Sequence, residues 1–107
     1  MTDQNKSRRE KLQEFAAQNP NDSFSHYALA LEFLKEEDFV AADKHFRHII
    51  QTTPDYVPVY LMYAQMLAKQ HRTVEAKSVL TTGIDVASQA QNAHARSEME
   101  SLLAELS

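Results

Sequence analysis

Apolar residues recur along the chain at spacings of three and four, in six blocks separated by short polar or proline-containing segments, and each block reads as an amphipathic helix. Ser7 followed by Glu10 has the spacing of a capping box, in which hydroxyl and carboxylate satisfy amides left unpaired by the first helical turn. A helix is therefore predicted over 8–18, within an element that starts at Ser7. Leu12, Phe15 and Ala16 are its narrow apolar stripe and Asn19-Pro20 its stop. Residues 1–6, polar and terminal, are expected to fray.

The second helix, over 23–36, follows Asn21, Asp22 and Ser23 as candidate N-caps and buries Leu29, Ala30 and Phe33. It also carries Phe24, Tyr27, Leu31 and Leu34, a second apolar stripe beyond what one packing contact needs. Glu36-Glu37-Asp38 turns the chain into a helix over 39–52, with Phe39, Ala42, Phe46, Ile49 and Ile50 inward; the acids suit the positive end of that helix. Thr53-Pro54-Asp55 closes the unit. The next helix, over 57–70, accepts Pro58 because a first-turn proline gives up an amide that had no partner. After His71-Arg72-Thr73, with Thr73 as the expected N-cap, a fifth helix over 74–87 points Val74, Ala76, Val79, Leu80 and Ile84 inward. Gly83 inside it costs about 1 kcal/mol relative to Ala, a cost that a close crossing by a neighbouring backbone would explain. Asn92 caps a last helix, with Ala95, Met99, Leu102, Leu103 and Leu106 on one face and Glu98, Glu100 and Glu105 toward water.

These blocks are related by a shift of thirty-four residues: Pro20 returns as Pro54, His26 as Tyr60, Ala30 as Ala64, Lys35 as Lys69, Val40 as Val74, Ala42 as Ala76, Phe46 as Leu80 and Ile50 as Ile84. Thirty-four is the length of a helix-turn-helix solenoid unit. The period is lost past Ser88, so the last helix reads as the cap that covers a solenoid's open core. The expected architecture is all-α, an αα-hairpin solenoid. It divides as a single domain over 1–107: an N-terminal helix at 7–18, repeat 1 at 23–56, repeat 2 at 57–90 and a capping helix at 92–106.

Composition narrows the function. The 107 residues suit one domain, and a single Gly and three Pro favour helices over turn-rich sheets. A net charge of −4 supplies no field for phosphate backbones, so nucleic-acid binding is not expected. The basic group Lys6, Arg8, Arg9 and Lys11 is interleaved with Asp3, Glu10 and Glu14 and reads as a solvated helix end. No apolar run approaches the eighteen or so residues of a membrane span, the polar start is unlike a signal peptide, and a cytoplasmic location is the simplest expectation. Cysteine is absent. His45 and His48 are three apart with Asp43 nearby, but spacing fixes no third ligand, and they are read as a polar face rather than a metal site. No nucleophile with a neighbouring base, Gly-rich phosphate loop or spaced carboxylate pair is present, so neither catalysis nor a cofactor is expected.

Within 23–90 the chain resembles two tandem tetratricopeptide repeats. The first unit answers the family pattern with His26, Leu29, Ala30, Phe33, Ala42, Phe46, Ile49 and Pro54, the second with Tyr60, Tyr63, Ala64, Leu67, Ala76, Leu80, Gly83 and Ser88. Ile49 stands where the family has a small residue, and Ser88 where it has Pro. The whole is similar to short free-standing bacterial members. The resemblance implies a superhelix whose first helices line a concave groove, at positions matching Phe24, Tyr27, Leu31, Leu34, Lys35, Leu61, Gln65, Ala68 and Lys69. It implies a non-catalytic protein-interaction module binding a peptide or protein segment; an apolar floor and two Lys at one rim suit large side chains with an acid nearby. The alternative is a structural homo-oligomer, a homodimer for instance, whose groove is its own interface. The Lys and Asn clamp with which one subtype grips acidic chaperone tails is not carried: Tyr27, Leu31 and Met62 stand at those positions.

Overall fold

The computed structural model describes residues 7–107, and among these all regular structure is helical. Along the chain lie α1 (Arg8–Gln18), α2 (Ser23–Lys35), α3 (Phe39–Thr52), α4 (Pro58–Lys69), α5 (Thr73–Gln89) and α6 (Ala93–Leu106). The fraying expected of residues 1–6 lies outside the described residues. Contacts group the chain into two compact units, one ending at Thr53 and the other running Pro54–Ser107.

In the first unit α2 and α3 form a hairpin, and α1 packs along α2. The hairpin core is Leu29, Ala30, Phe33, Ala42, Phe46 and Ile49, all buried, with Ala30, Ala42, Phe46 and Ile49 wholly excluded from solvent. Small residues at Ala30 and Ala42 let two helices approach closely. The capping box is present: the Ser7 hydroxyl accepts from the Glu10 amide at 3.1 Å and the Glu10 carboxylate accepts from the Ser7 amide at 3.2 Å. Arg8 and Arg9 of α1 serve its docking on α2. Arg9 pairs with Glu36 at 2.8 Å and lies 5.5 Å from the Phe33 ring centroid, while Arg8 reaches Glu32 at 3.4 Å. Lys6 and Asp3 lie outside the described residues. Ala16 is the residue of α1 that is buried; Phe15, expected inward with it, is 50% exposed.

In the second unit α4 and α5 form the equivalent hairpin, and α6 packs on α5 and, less extensively, on α4. Its core includes Tyr60, Tyr63, Ala64, Leu67, Ala76, Leu80, Ala87 and Met99. At Gly83 the close approach is made by side chains from two directions and not, as expected, by a neighbouring backbone. A Cβ placed there would lie 2.5 Å from the Tyr60 Cβ and 2.6 Å from the Met99 sulfur, so glycine alone lets α4 and α6 close on α5 at this level.

The helix ends explain where each element stops. Asp22, Asp38 and Asn92 accept from the amides of Ser25, Ala41 and Ala95 and start α2, α3 and α6. Glu37, His71 and Gln91 adopt left-handed conformations at φ 59°, 63° and 59°. Each closes the preceding helix with the paired bonds of a Schellman motif, Asp38 N–H to Phe33 O, Arg72 N–H to Leu67 O and Asn92 N–H to Ala87 O, all at 2.9 Å. Asn19 and Thr53 instead end their helices ahead of a proline, in nearly the same conformation. With Ser88 in place of that proline, α5 runs on to Gln89 and is 17 residues long against 14 for α3.

Two sequence expectations in α5 are corrected. Thr73 is the first helical residue and not the cap; Arg72 occupies the cap without a side-chain bond to the helix amides, and pairs with Glu75 in the first turn at 2.8 Å. Val74 is 83% exposed, like its counterpart Val40 at 84%. Both sit at the second position of their helix, before the buried face begins at Ala42 and Ala76.

Candidate partner-binding faces

In the first unit the expected binding residues all lie on α2. Buried Ser25, Ala28, Leu29, Ala30 and Phe33 hold the helix in place, and Phe24, Tyr27, Leu31 and Leu34 follow one another at three- and four-residue steps, with Lys35 four residues on from Leu31. Phe24 is 67% exposed, Tyr27, Leu31 and Leu34 are half-buried, and Lys35 is exposed with its ammonium 3.5 Å from the Glu32 carboxylate. Glu32 therefore takes charge from both Arg8 and Lys35. Of the stripe, Phe24 is the large apolar side chain that stands exposed.

In the second unit Leu61 and Gln65 of α4 line an open groove of about 380 Å³. Its other wall is α6, with His94, Glu98, Ser101, Leu102 and Glu105. Leu61 and Leu102 are half-buried and are the apolar part of a lining that is otherwise polar. His94 faces Glu98 at 3.3 Å. Lys69 is exposed at the end of α4 and is not part of this lining, and Ala68 is half-buried. The α6 wall is what sequence reasoning missed. Glu98 and Glu105 face water, as expected, but they do so across a groove. Once the period ends at Ser88 no repeat partner indicates which side of α6 faces α4.

His45 and His48 are drawn together with His26 of α2, and Asp43 is engaged by Arg47 at 2.7 Å. Among the described residues no group of three or more His, Cys, Asp or Glu side chains is arranged to hold a metal ion. Nor is any helix among them long and apolar enough to cross a membrane.

Paired antiparallel helices repeating with a fixed register define a helical-repeat protein. The family model described as tetratricopeptide repeat matches residues 33–106, a span that crosses the boundary at Thr53. The chain belongs to the tetratricopeptide repeat family. A solution structure of a tetratricopeptide repeat domain protein from Salinibacter ruber is similar at 31% identity and a TM-score of 0.78, over 81% of this chain and 88% of that one. A crystal structure of a tetratricopeptide repeat domain protein from the same organism gives 30% identity and 0.76, over 79% and 96%. A protein from Bordetella parapertussis shares the fold, with a TM-score of 0.80 at 21% identity over 94% of this chain and 88% of that one. No curated protein matches the chain. The family is in general a non-catalytic scaffold whose domains bind protein partners.

Proposed function

We propose that this protein acts by binding, without catalysis, and that it takes a peptide or protein segment on the faces of its first helices: the Phe24, Tyr27, Leu31 and Leu34 stripe in the first unit and the groove walled by α4 and α6 in the second. The observation that carries the reading is the groove, because Leu61 and Gln65, matched from the family resemblance, line an open cleft in which two leucines are set among polar side chains. Such a cleft suits an extended or helical segment with large apolar side chains, whose burial supplies affinity while the polar edges fix its direction. Lys35 and Lys69 place positive charge at the C-terminal ends of α2 and α4, where an acidic residue of the partner would be favoured.

The rival reading is a homo-oligomer whose apolar faces meet one another. Light scattering on the purified chain at tens of micromolar separates the two. The proposal expects a monomer. A dimer that Leu31→Glu splits into monomers would mean that the α2 face is already occupied by a second copy.

A further inference from the structure

The open end of the first hairpin, away from the Glu37 turn, is closed by three histidine rings. His26 of α2 and His45 of α3 meet through their Nδ1 atoms at 3.1 Å. His26 and His48 both direct Nε2 at the Pro20 carbonyl, each at 3.0 Å. The rings lie against one another, with centroids 4.3 Å apart for His26 and His48 and 5.3 Å for His26 and His45, and His45 stacks on Phe33 at 5.6 Å. Alongside them the Ser23 hydroxyl donates to that of Thr53 at 2.6 Å.

This geometry dictates the protons. A carbonyl only accepts, so the Nε2 atoms of His26 and His48 both carry hydrogen. Neutral His26 then has a bare Nδ1, and the contact with His45 requires the proton on His45 Nδ1 to be shared across it. One proton fits between those nitrogens. A second on His26 would set two N–H groups head to head, and one taken up at His45 Nε2 would place a charge in the half-buried cluster against the neighbouring rings.

We propose that His26, His45 and His48 form an acid-sensitive latch across the open end of the first hairpin, which on protonation lets α2 and α3 part there while α4 and α5 stay paired. The charges facing the cluster do not remove this sensitivity. Burial, then the neighbouring His26, Lys44 and His48, lower His45 to about 4. Burial and then His48 also lower His26, with the Pro20 bond and Asp22 opposing. Arg9 of α1 lies beyond, at the Phe33 ring on which His45 stacks. For groups lowered in the folded state, the unfolded chain binds more protons. Stability is then complete above the ordinary histidine value of about 6.5 and is lost as pH falls from there toward 4.

The second hairpin contains its own control. Thirty-four residues on from His26 is Tyr60, whose hydroxyl donates to the carbonyl of Pro54, the counterpart of Pro20, so the same bond is made by a group that does not titrate in this range. His45 and His48 correspond to Val79 and Thr82.

The test is amide hydrogen exchange on the full chain near pH 7.5 and pH 5, compared as protection factors. Protection in α2 and α3 is expected to fall roughly tenfold or more at the lower pH while that in α4 and α5 holds, in line with the tenfold change per pH unit that one displaced proton produces. The triple variant His26→Tyr, His45→Val, His48→Thr, which installs the second hairpin's own residues, is expected to erase the difference. Equal loss in both hairpins, or an undiminished difference in a folded triple variant, would overturn the latch. Should that variant not fold, proton NMR titration of the wild-type rings decides. The His45 ring is expected to remain neutral at pH 5.5, and His26 and His45 both titrating at the ordinary value would refute the proposal.

Discussion

Gly83→Ala is expected to destabilise the protein by about 2 kcal/mol, against the sign that helix propensity dictates. Replacing a mid-helix glycine by alanine ordinarily gains up to about 1 kcal/mol, because the chain loses less freedom on folding. Here the added methyl falls 2.5 Å from the Tyr60 Cβ, an atom fixed to its own backbone, and 2.6 Å from the Met99 sulfur. The thioether can swing aside, but the Tyr60 Cβ moves only if α4 does, and Tyr60 and Met99 are themselves buried. Overpacking of this kind costs about 1–3 kcal/mol, occasionally more, and outweighs the propensity gain. Urea denaturation of wild type and variant measures the difference. A variant as stable as wild type, or more stable, would show that α4 and α6 do not close on Gly83.

Ala30→Leu and Ala64→Leu are expected to cost as much or more, about 3 kcal/mol each. Both alanines are wholly excluded from solvent inside their hairpins, as are Ala42 and Ala76 on the helices opposite. Leucine adds three carbons where the interhelical distance is set by methyl groups, so the helices must separate or the side chain must leave its rotamer. With total stabilities of about 5–15 kcal/mol, such a loss should lower the thermal midpoint by several degrees. Because the two positions are related by the repeat, the two variants should lose similar amounts. A pair that melted like wild type would show that the register relating the hairpins is misplaced.

Much of the fold was legible in the sequence because its determinants are local or periodic. Ser7 and Glu10 form the predicted box, Asp22 and Asn92 cap as expected, and the buried positions from Leu29 to Ile49 follow the three-and-four spacing. The thirty-four-residue shift proved to relate surface positions as well as core ones. Val40 and Val74 correspond yet both face solvent, since periodicity reports equivalence and not burial. The true inward residue at the far end of α5 is Ala87, which lies where α5 outruns its counterpart because Ser88 removes the stop.

The proposed binding faces were half legible. The α2 stripe could be read because it is an excess, more apolar surface than one contact consumes. The α6 wall could not, because its orientation depends on how Met99 seats against Gly83 and no period extends to it. The histidine cluster shows the same limit. His45 and His48 are neighbours by helical spacing, but His26 joins them only when the hairpin closes across nineteen residues, and Pro20 contributes through a carbonyl that no residue pattern advertises.

The central claim is that the faces of α2 and α4 receive a protein partner. Affinity capture from a lysate of the source cells, with bound proteins quantified for wild type and for a Leu31→Glu, Leu61→Glu variant, tests it most directly. Both leucines are half-buried, and the variant's thermal midpoint should be checked alongside. We expect a small set of proteins enriched on wild type and lost from a variant that still folds. Retention of that set by the folded variant would contradict the account and move the interaction to another surface.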